Sequence, residues 1–473
     1  MRYYGNKTKL LPFIEQVVKN TGINGTSNFV DLFSGTCSVG RHFKRMGYTV
    51  IANDNLEFSY ALSKTFIELN EQPSFKKLKK ELHAKNNQSI FNFLNNNRDF
   101  KEGFIYKNYC PSGGRMYFTD ENALKIDTNR TFFNDWRNAG IISELEYYYL
   151  ITSLLRSINL VSNISGTYGA YLKHWDKRAL NPLILQQVEI IESKNQNKAY
   201  KQDANELVKE INPDILYLDP PYNSRQYASN YFLLELIAEG WFEKEPEIYG
   251  ETGMRKYDHQ KSDYASKNKA LNALEDLILN STKSKCVLLS YSNEGIIPTQ
   301  AIEQTLKRIG ELNIHSEDHK RYKSINQTKG NPQKTVEYIF EVKPRKMVNK
   351  TNNLTGKEWL QNSFSIWREL GKTEEEKKLK HPAIFNIKLI DKLIDTFCRP
   401  ENSLVLDCFA GSGTTLISGL QKGKDVVGFD LNEDYKKLFL KRATKSYNLN
   451  VDNLENKYLI SDSRFLSQKL QNI

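Results

Sequence analysis

The residues best equipped for chemistry are Asp219, Pro220, Pro221 and Tyr222, in the stretch ILYLDPPYN at 215–223. An apolar run of strand character leads into the carboxylate, and the sequence has no other Pro-Pro pair. Two successive prolines fix two φ angles and leave two carbonyls without neighbouring N–H donors competing for them. Such a rigid corner at the carboxyl end of a strand is where open α/β sheets bind ligands. The Asp219 carboxylate and the Pro220 carbonyl are two acceptors side by side. An amine conjugated to a ring, as in adenine, is a poor nucleophile because its lone pair is delocalised. Acceptors on both N–H bonds would draw the nitrogen toward tetrahedral geometry, and the lone pair could then attack, in line, a methyl group carried on a positive sulfur. That is catalysis by positioning and electrostatics, with no metal required. Tyr222 offers an aromatic face to a base taken out of a stack. A strand-to-turn corner with no chemical role has the same outline, so the surrounding elements must decide.

Two of those elements share one design. SNFVDLFSGTCSVGRHFKRMGYTVIANDN reads as strand, Gly-containing turn, helix, strand and acid, and so does NSLVLDCFAGSGTTLISGLQKGKDVVGFDLN. Asp31 to Asp54 is 23 residues, and Asp407 to Asp430 is also 23. A small-residue turn lets backbone pass close to a ligand. An acid about 20 residues on, at the tip of the next strand, can accept from two ribose hydroxyls. In the first block these residues are Phe33, Gly35 and Asp54; in the second, Phe409, Gly411, Gly413 and Asp430. Neither turn ends in GK[ST], so a nucleoside suits them better than a nucleoside triphosphate. One such turn alone is also what a structural strand–helix connection looks like. Joined to the 219–222 corner in the same block, it favours a ligand site.

Stepping outward, 473 residues are enough for two or three domains. A polar, basic stretch, VKPRKMVNKTNNLTGK, follows the strand-like TVEYIFEV. It predicts a first domain at 1–345, a linker at 346–357 and a second domain at 358–473. Within the first, about 75–195 is rich in Asn, Lys, Tyr and Phe, with helical stretches such as ISELEYYYLITSLLRSINLV. The net charge of +11 suits a polyanionic partner, although a solvated Lys-rich surface carries the same charge. Five scattered cysteines with no CxxC pair predict neither a disulfide framework nor a zinc site. The N-terminal MRYYGNKTKLL is not apolar enough for a signal peptide, and no run approaches a membrane span. A soluble, cytoplasmic protein with no membrane partner is expected.

With these motifs in order, block one resembles the DNA adenine methylase (Dam-like) family from end to end. The match runs through RYYGNKTKLLPFI, DLFSGTCSVG, AND, DPPYNSRQY and LLSYSNEG. The resemblance implies S-adenosyl-L-methionine as cofactor and double-stranded DNA as partner. It also implies Tyr3 and Lys7 flanking the cofactor, Phe33 and Gly35 lining it, and Asp54 on its ribose. Asp219 to Tyr222 would be the catalytic tetrapeptide, and Asp203 a weaker acid near the cofactor. Related cytosine-N4 enzymes usually carry Ser where Asp219 stands, which favours adenine. Without the resemblance, Tyr3 and Lys7 would read as an ordinary N-terminal turn with a solvated lysine.

Block two resembles the permuted arrangement of the same amino-methyltransferases, through FSIWREL, KHPAIFNIKLIDKLIDTF, VLDCFAGSGTT and VVGFDLNEDY. Asn386 stands where that family often has Pro, and no second DPPY or SPPY follows ISDSRFL. Block two therefore reads as a cofactor half-site around Phe409, Gly411, Gly413 and Asp430 without a catalytic half. It is a relic, a support, or part of a split enzyme completed by a second polypeptide.

The expected fold is α/β: a Rossmann-like S-adenosylmethionine-dependent methyltransferase domain with an inserted helical target-recognition region, plus a C-terminal partial methyltransferase-like unit. The expected activity is site-specific DNA adenine-N6 methylation beside a cognate restriction endonuclease. An RNA adenine methyltransferase and a DNA-binding subunit of a two-chain enzyme are the alternatives. Candidate DNA contacts are Arg98, Lys101, Tyr106, Lys107 and Tyr109, the segment 165–178, and NSRQYASNY after the tetrapeptide. Basic residues interleaved with tyrosine suit phosphate contact and base stacking; a partly buried aromatic helix pair with solvated lysines has the same pattern.

Overall fold

The structure is a computed structural model. It describes residues 5–23, 27–320, 334–345, 352–363, 370–379, 385–399, 403–449 and 454–465. The chain forms two compact units, Met1–Lys346 and Met347–Ile473.

Unit one is built on β1 (Asn28–Asp31), β2 (Thr49–Asn53), β3 (Lys198–Tyr200), β4 (Ile215–Leu218), a short hairpin of β5 (Ile248–Tyr249) and β6 (Met254–Arg255), β7 (Cys286–Ser292), β8 (Gly310–Lys320) and β9 (Lys334–Pro344). Seven of these make one sheet in the order β3-β2-β1-β4-β7-β9-β8. The first five run parallel, and β9 lies antiparallel between β7 and β8. From β1 the chain builds outward to β2 and β3, then returns to add β4 on the other side. The crevice at the carboxyl ends of β1 and β4 is thus a topological switch point, the place where such sheets hold ligands.

Side chains alternate across this sheet as a two-residue repeat demands. Phe29, Ile215, Tyr217 and Leu288 enter one core, with the N-terminal and inserted helices. Val30, Leu32, Leu216, Leu218 and Leu289 enter the other, beneath helices Ala204–Glu210, Ala270–Asn280 and Thr299–Ile309. Every residue of β4 is buried, which is why ILYL is apolar throughout rather than alternating.

The inserted region leaves the sheet between β2 and β3. It contains helices Lys76–Glu81, Asn87–Asn96, Phe104–Tyr109, Asp120–Asn138 and Glu144–Val161. The last begins at a capping box, in which Ser143 and Glu146 satisfy each other's backbone N–H groups. Its tyrosines 147 to 149 are all buried, so this aromatic run is core.

Unit two holds three parallel strands, β10 (Leu404–Asp407), β11 (Asp425–Asp430) and β12 (Tyr458–Ile460), with β11 central. Helices Ile387–Phe397, Thr414–Gln421 and Glu433–Lys441 accompany them, around Leu416, Ile417, Val426, Phe439 and Tyr458. The register repeats that of unit one: Asn28 faces Thr49 in β1–β2, and Leu404 faces Asp425 in β10–β11. The strand order β10-β11-β12 likewise matches β1-β2-β3. Among the described residues, no helix is long and apolar enough to cross a membrane.

Candidate active site

Four chain segments meet at the carboxyl ends of β1, β2 and β4. The first is the turn after β1. Gly35 sits at φ +48° and donates its N–H to Asp54 Oδ2 at 2.9 Å. Asp54 Oδ1 accepts from the Leu56 N–H at 3.0 Å. One carboxylate therefore pins both the glycine turn and the entry to the next helix. Burial pushes Asp54 up to about 6, against the pull of its backbone donors. A buried carboxylate at the tip of the strand after a glycine turn fits a pair of ribose hydroxyls, so the residues suit the nucleoside end of the implied cofactor. Phe33 is half-buried and packs edge-on against Tyr264 at 5.2 Å, giving the crevice one wall.

The turn in unit two has the same construction. Gly411 sits at φ +48° and donates to Asp430 Oδ2 at 2.9 Å, while Asp430 Oδ1 accepts from the Asn432 N–H at 2.9 Å. Gly413 has φ +76°, and a Cβ there would run into the Phe439 ring. Its counterpart Cys37 takes the same left-handed conformation at φ 59°. Phe409 differs from Phe33 in being 80% exposed.

The second segment is the tetrapeptide, which follows β4 directly. The third is the N-terminal turn. Gly5 has φ +76°, and a Cβ there would meet Tyr227 Oη at 3.2 Å. Asn6 accepts from the Thr8 N–H and starts a short helical turn, Lys7–Leu10. This brings Lys7, only 3% exposed, to 3.2 Å from Asp219 Oδ1 and 5.6 Å over the Tyr222 ring. The fourth segment is β9, whose Glu337 Oε2 accepts from Lys7 Nζ at 3.3 Å. Burial opposes charge on Lys7, but the negative groups around it, Asp219 foremost, outweigh burial and raise its pKa. Burial likewise lifts Asp219 to about 6, and Lys7 draws it back down. Asp219 Oδ1 is buried and receives no hydrogen bond from the described residues, although the Lys7 charge is close. That is an ionised acceptor with an open lone pair beside a half-buried tyrosine face.

The expected site residues Lys7, Phe33, Gly35, Asp54 and Asp219 to Tyr222 thus lie on one crevice edge. Tyr3 lies outside the described residues. Asp203 caps helix Ala204–Glu210, accepting from the Asn205 N–H at 2.8 Å. Among the candidate DNA contacts, Arg98, Lys101 and Lys107 are exposed, and Tyr106 is half-buried. Tyr109 is a correction: it is fully buried, and its hydroxyl donates to the Gly253 carbonyl at 2.7 Å. Tyr168 in the 165–178 segment is also buried, but its N–H donates to Asn230 O at 2.8 Å. That bond ties 165–178 to the stretch after the tetrapeptide. Sequence reasoning missed Glu337, an acid within the strand-like TVEYIFEV, and the support that Gly5 gives Lys7.

A glycine turn pinned by a buried carboxylate, and a second buried carboxylate leading a Pro-Pro-Tyr corner, on a Rossmann-like sheet are the parts that an amino-methyltransferase would need. Comparison with known proteins agrees: residues 3–305 match the family of D12 class N6 adenine-specific DNA methyltransferases, and residues 214–441 match a DNA methylase family. The chain belongs to the D12 class family. It is 40% identical over 424 residues to Type II methyltransferase M.FokI of Planomicrobium okeanokoites, covering 87% of this chain and 62% of that protein. It is 38% identical over 447 residues to modification methylase StsI of Streptococcus sanguinis, covering 93% and 65%. With Type II methyltransferase M.NlaIII of Neisseria lactamica it shares 37% identity over 333 residues, covering 68% and 93%. The chain therefore spans less than two thirds of the first two relatives.

Proposed function

We propose that the protein is a site-specific DNA adenine-N6 methyltransferase using S-adenosyl-L-methionine, the modification partner of a restriction endonuclease. The carrying observation is Asp219 Oδ1, a buried carboxylate oxygen held beside an ammonium yet receiving no hydrogen bond among the described residues. An adenine amine entering past Tyr222 finds in Asp219 and the Pro220 carbonyl an acceptor for each N–H, and its lone pair is freed. The cofactor supplies a methyl group already activated on a sulfonium. Tyr3 and Lys7 flank it, Phe33 and Gly35 line it, and Asp54 takes its ribose. Family membership supports adenine in DNA over RNA.

The first domain, 1–345, carries the working site, with 75–195 as its target-recognition region and 346–357 as linker. In the second domain, 358–473, the duplicated geometry at Gly411 and Asp430 supports a second cofactor half-site with Phe409 and Gly413, whose catalytic complement a second polypeptide would bring. The test is incubation with tritiated S-adenosylmethionine and duplex DNA or RNA, followed by base analysis. Label in N6-methyladenine of DNA alone supports the reading; label in RNA, or in cytosine, overturns it.

A further inference from the structure

Lys7 stands almost equally far from two carboxylates, yet it treats them differently. Its hydrogen bond goes to Glu337 Oε2 at 3.3 Å, whereas Asp219 Oδ1, at 3.2 Å, receives charge without a hydrogen bond. The Lys7 and Glu337 side chains are 4% and 13% exposed, so water does little to screen them. Glu337 faces Ser292 across β7–β9, which sets it at the same sheet edge as the tetrapeptide. A lysine has a flexible stem and three donors. Without a second acceptor, this one would turn a donor onto Asp219 Oδ1, the very lone pair an incoming amine needs.

We infer that Glu337 is a positioning residue for methyl transfer: it takes the Lys7 hydrogen bond, leaving Lys7 to keep Asp219 ionised by charge while Oδ1 stays open to the target amine. This rests on the proposed activity of the same site. The groups facing Asp219 are Lys7, Glu337, Asp31, Tyr217, Tyr222 and Tyr227. Of these, Lys7 lowers its pKa and Glu337 raises it, on top of the larger upward push from burial. Removing the Glu337 charge must therefore ease ionisation of Asp219. The acid limb of activity, where Asp219 takes a proton, must move to lower pH even as the rate falls.

The experiment compares kcat against pH for wild type, Glu337→Gln and Glu337→Asp, with saturating S-adenosylmethionine and duplex DNA. Glu337→Gln should lose roughly tenfold to a hundredfold in kcat, the scale of a charged hydrogen bond the amine must now displace. KM for DNA and cofactor should stay within about threefold, because Glu337 touches neither. Its acid limb should shift downward. Glu337→Asp keeps the charge and should keep the wild-type limb and most of the rate. Wild-type kcat in Glu337→Gln, or a lower rate with an unmoved limb, overturns the inference. If wild type methylates no base, the proposed activity fails. Carbon-13 titration of the Asp219 carboxyl, in protein free of DNA and cofactor, then decides the electrostatics alone. A lower Asp219 pKa in Glu337→Gln supports the clamp, and an unchanged one refutes it.

Discussion

Replacing Asp54 with alanine separates its structural job from the ribose contact proposed for it. In the structure it accepts from the Gly35 and Leu56 N–H groups at 2.9 and 3.0 Å. Orphaning a buried donor costs about 1–3 kcal/mol, and the crevice edge lets water satisfy part of the loss. A destabilisation of about 2 kcal/mol follows, which lowers the melting temperature of a unit this large by roughly 3 °C. The ribose contact is a separate charge-assisted bond of about 1.5–3 kcal/mol, equivalent to tenfold to a hundredfold in cofactor affinity. Because that contact serves ground and transition states alike, KM for the cofactor should rise more than kcat falls. Calorimetric titration with S-adenosylmethionine, a thermal melt and steady-state kinetics on one preparation supply the three numbers. A lower melting temperature with unchanged cofactor affinity would refute the reasoning: Asp54 would then be only a clamp on Gly35.

Asp430→Ala breaks the matching pair of bonds in unit two, to Gly411 and Asn432. Methylation by the unit-one site should survive it largely intact, and side-by-side turnover with Asp54→Ala on one duplex checks this. The reverse ranking would move the working cofactor site to unit two. DNA binding should weaken steeply between 50 and 200 mM salt, as expected when Lys and Arg displace counterions from phosphates. A flat dependence, measured by fluorescence anisotropy, would remove the basic face from the account.

Much of the site is legible in sequence because it is local. Asp219 to Tyr222 is one tetrapeptide on one strand end, and the Gly35 and Gly411 turns announce themselves by small residues and an acid at fixed spacing. The wiring between segments is not local. Lys7 acquires its meaning only when Gly5 folds the N-terminal turn against Tyr227, and Glu337 only when β9 inserts between β7 and β8. An acid inside a strand carries no sequence mark separating a solvated face from a buried clamp. The aromatic insertion misleads for the opposite reason. Tyr109 follows Tyr106, Lys107 and Asn108 as a member of a stacking surface would, yet its ring fills the core. A tyrosine serves both purposes, and only burial tells them apart.

The most direct test of the central claim is Asp219→Ala. In the proposed reaction its carboxylate addresses the target amine, and Lys7 and Glu337 act only through it. Methyl transfer to adenine should fall by roughly a hundredfold or more, the scale expected for removing a group that acts on the reacting atoms. S-adenosylmethionine affinity should stay close to wild type. A variant that retains more than about a tenth of wild-type turnover, well above that expectation, would contradict the role assigned to Asp219 and the function built on it.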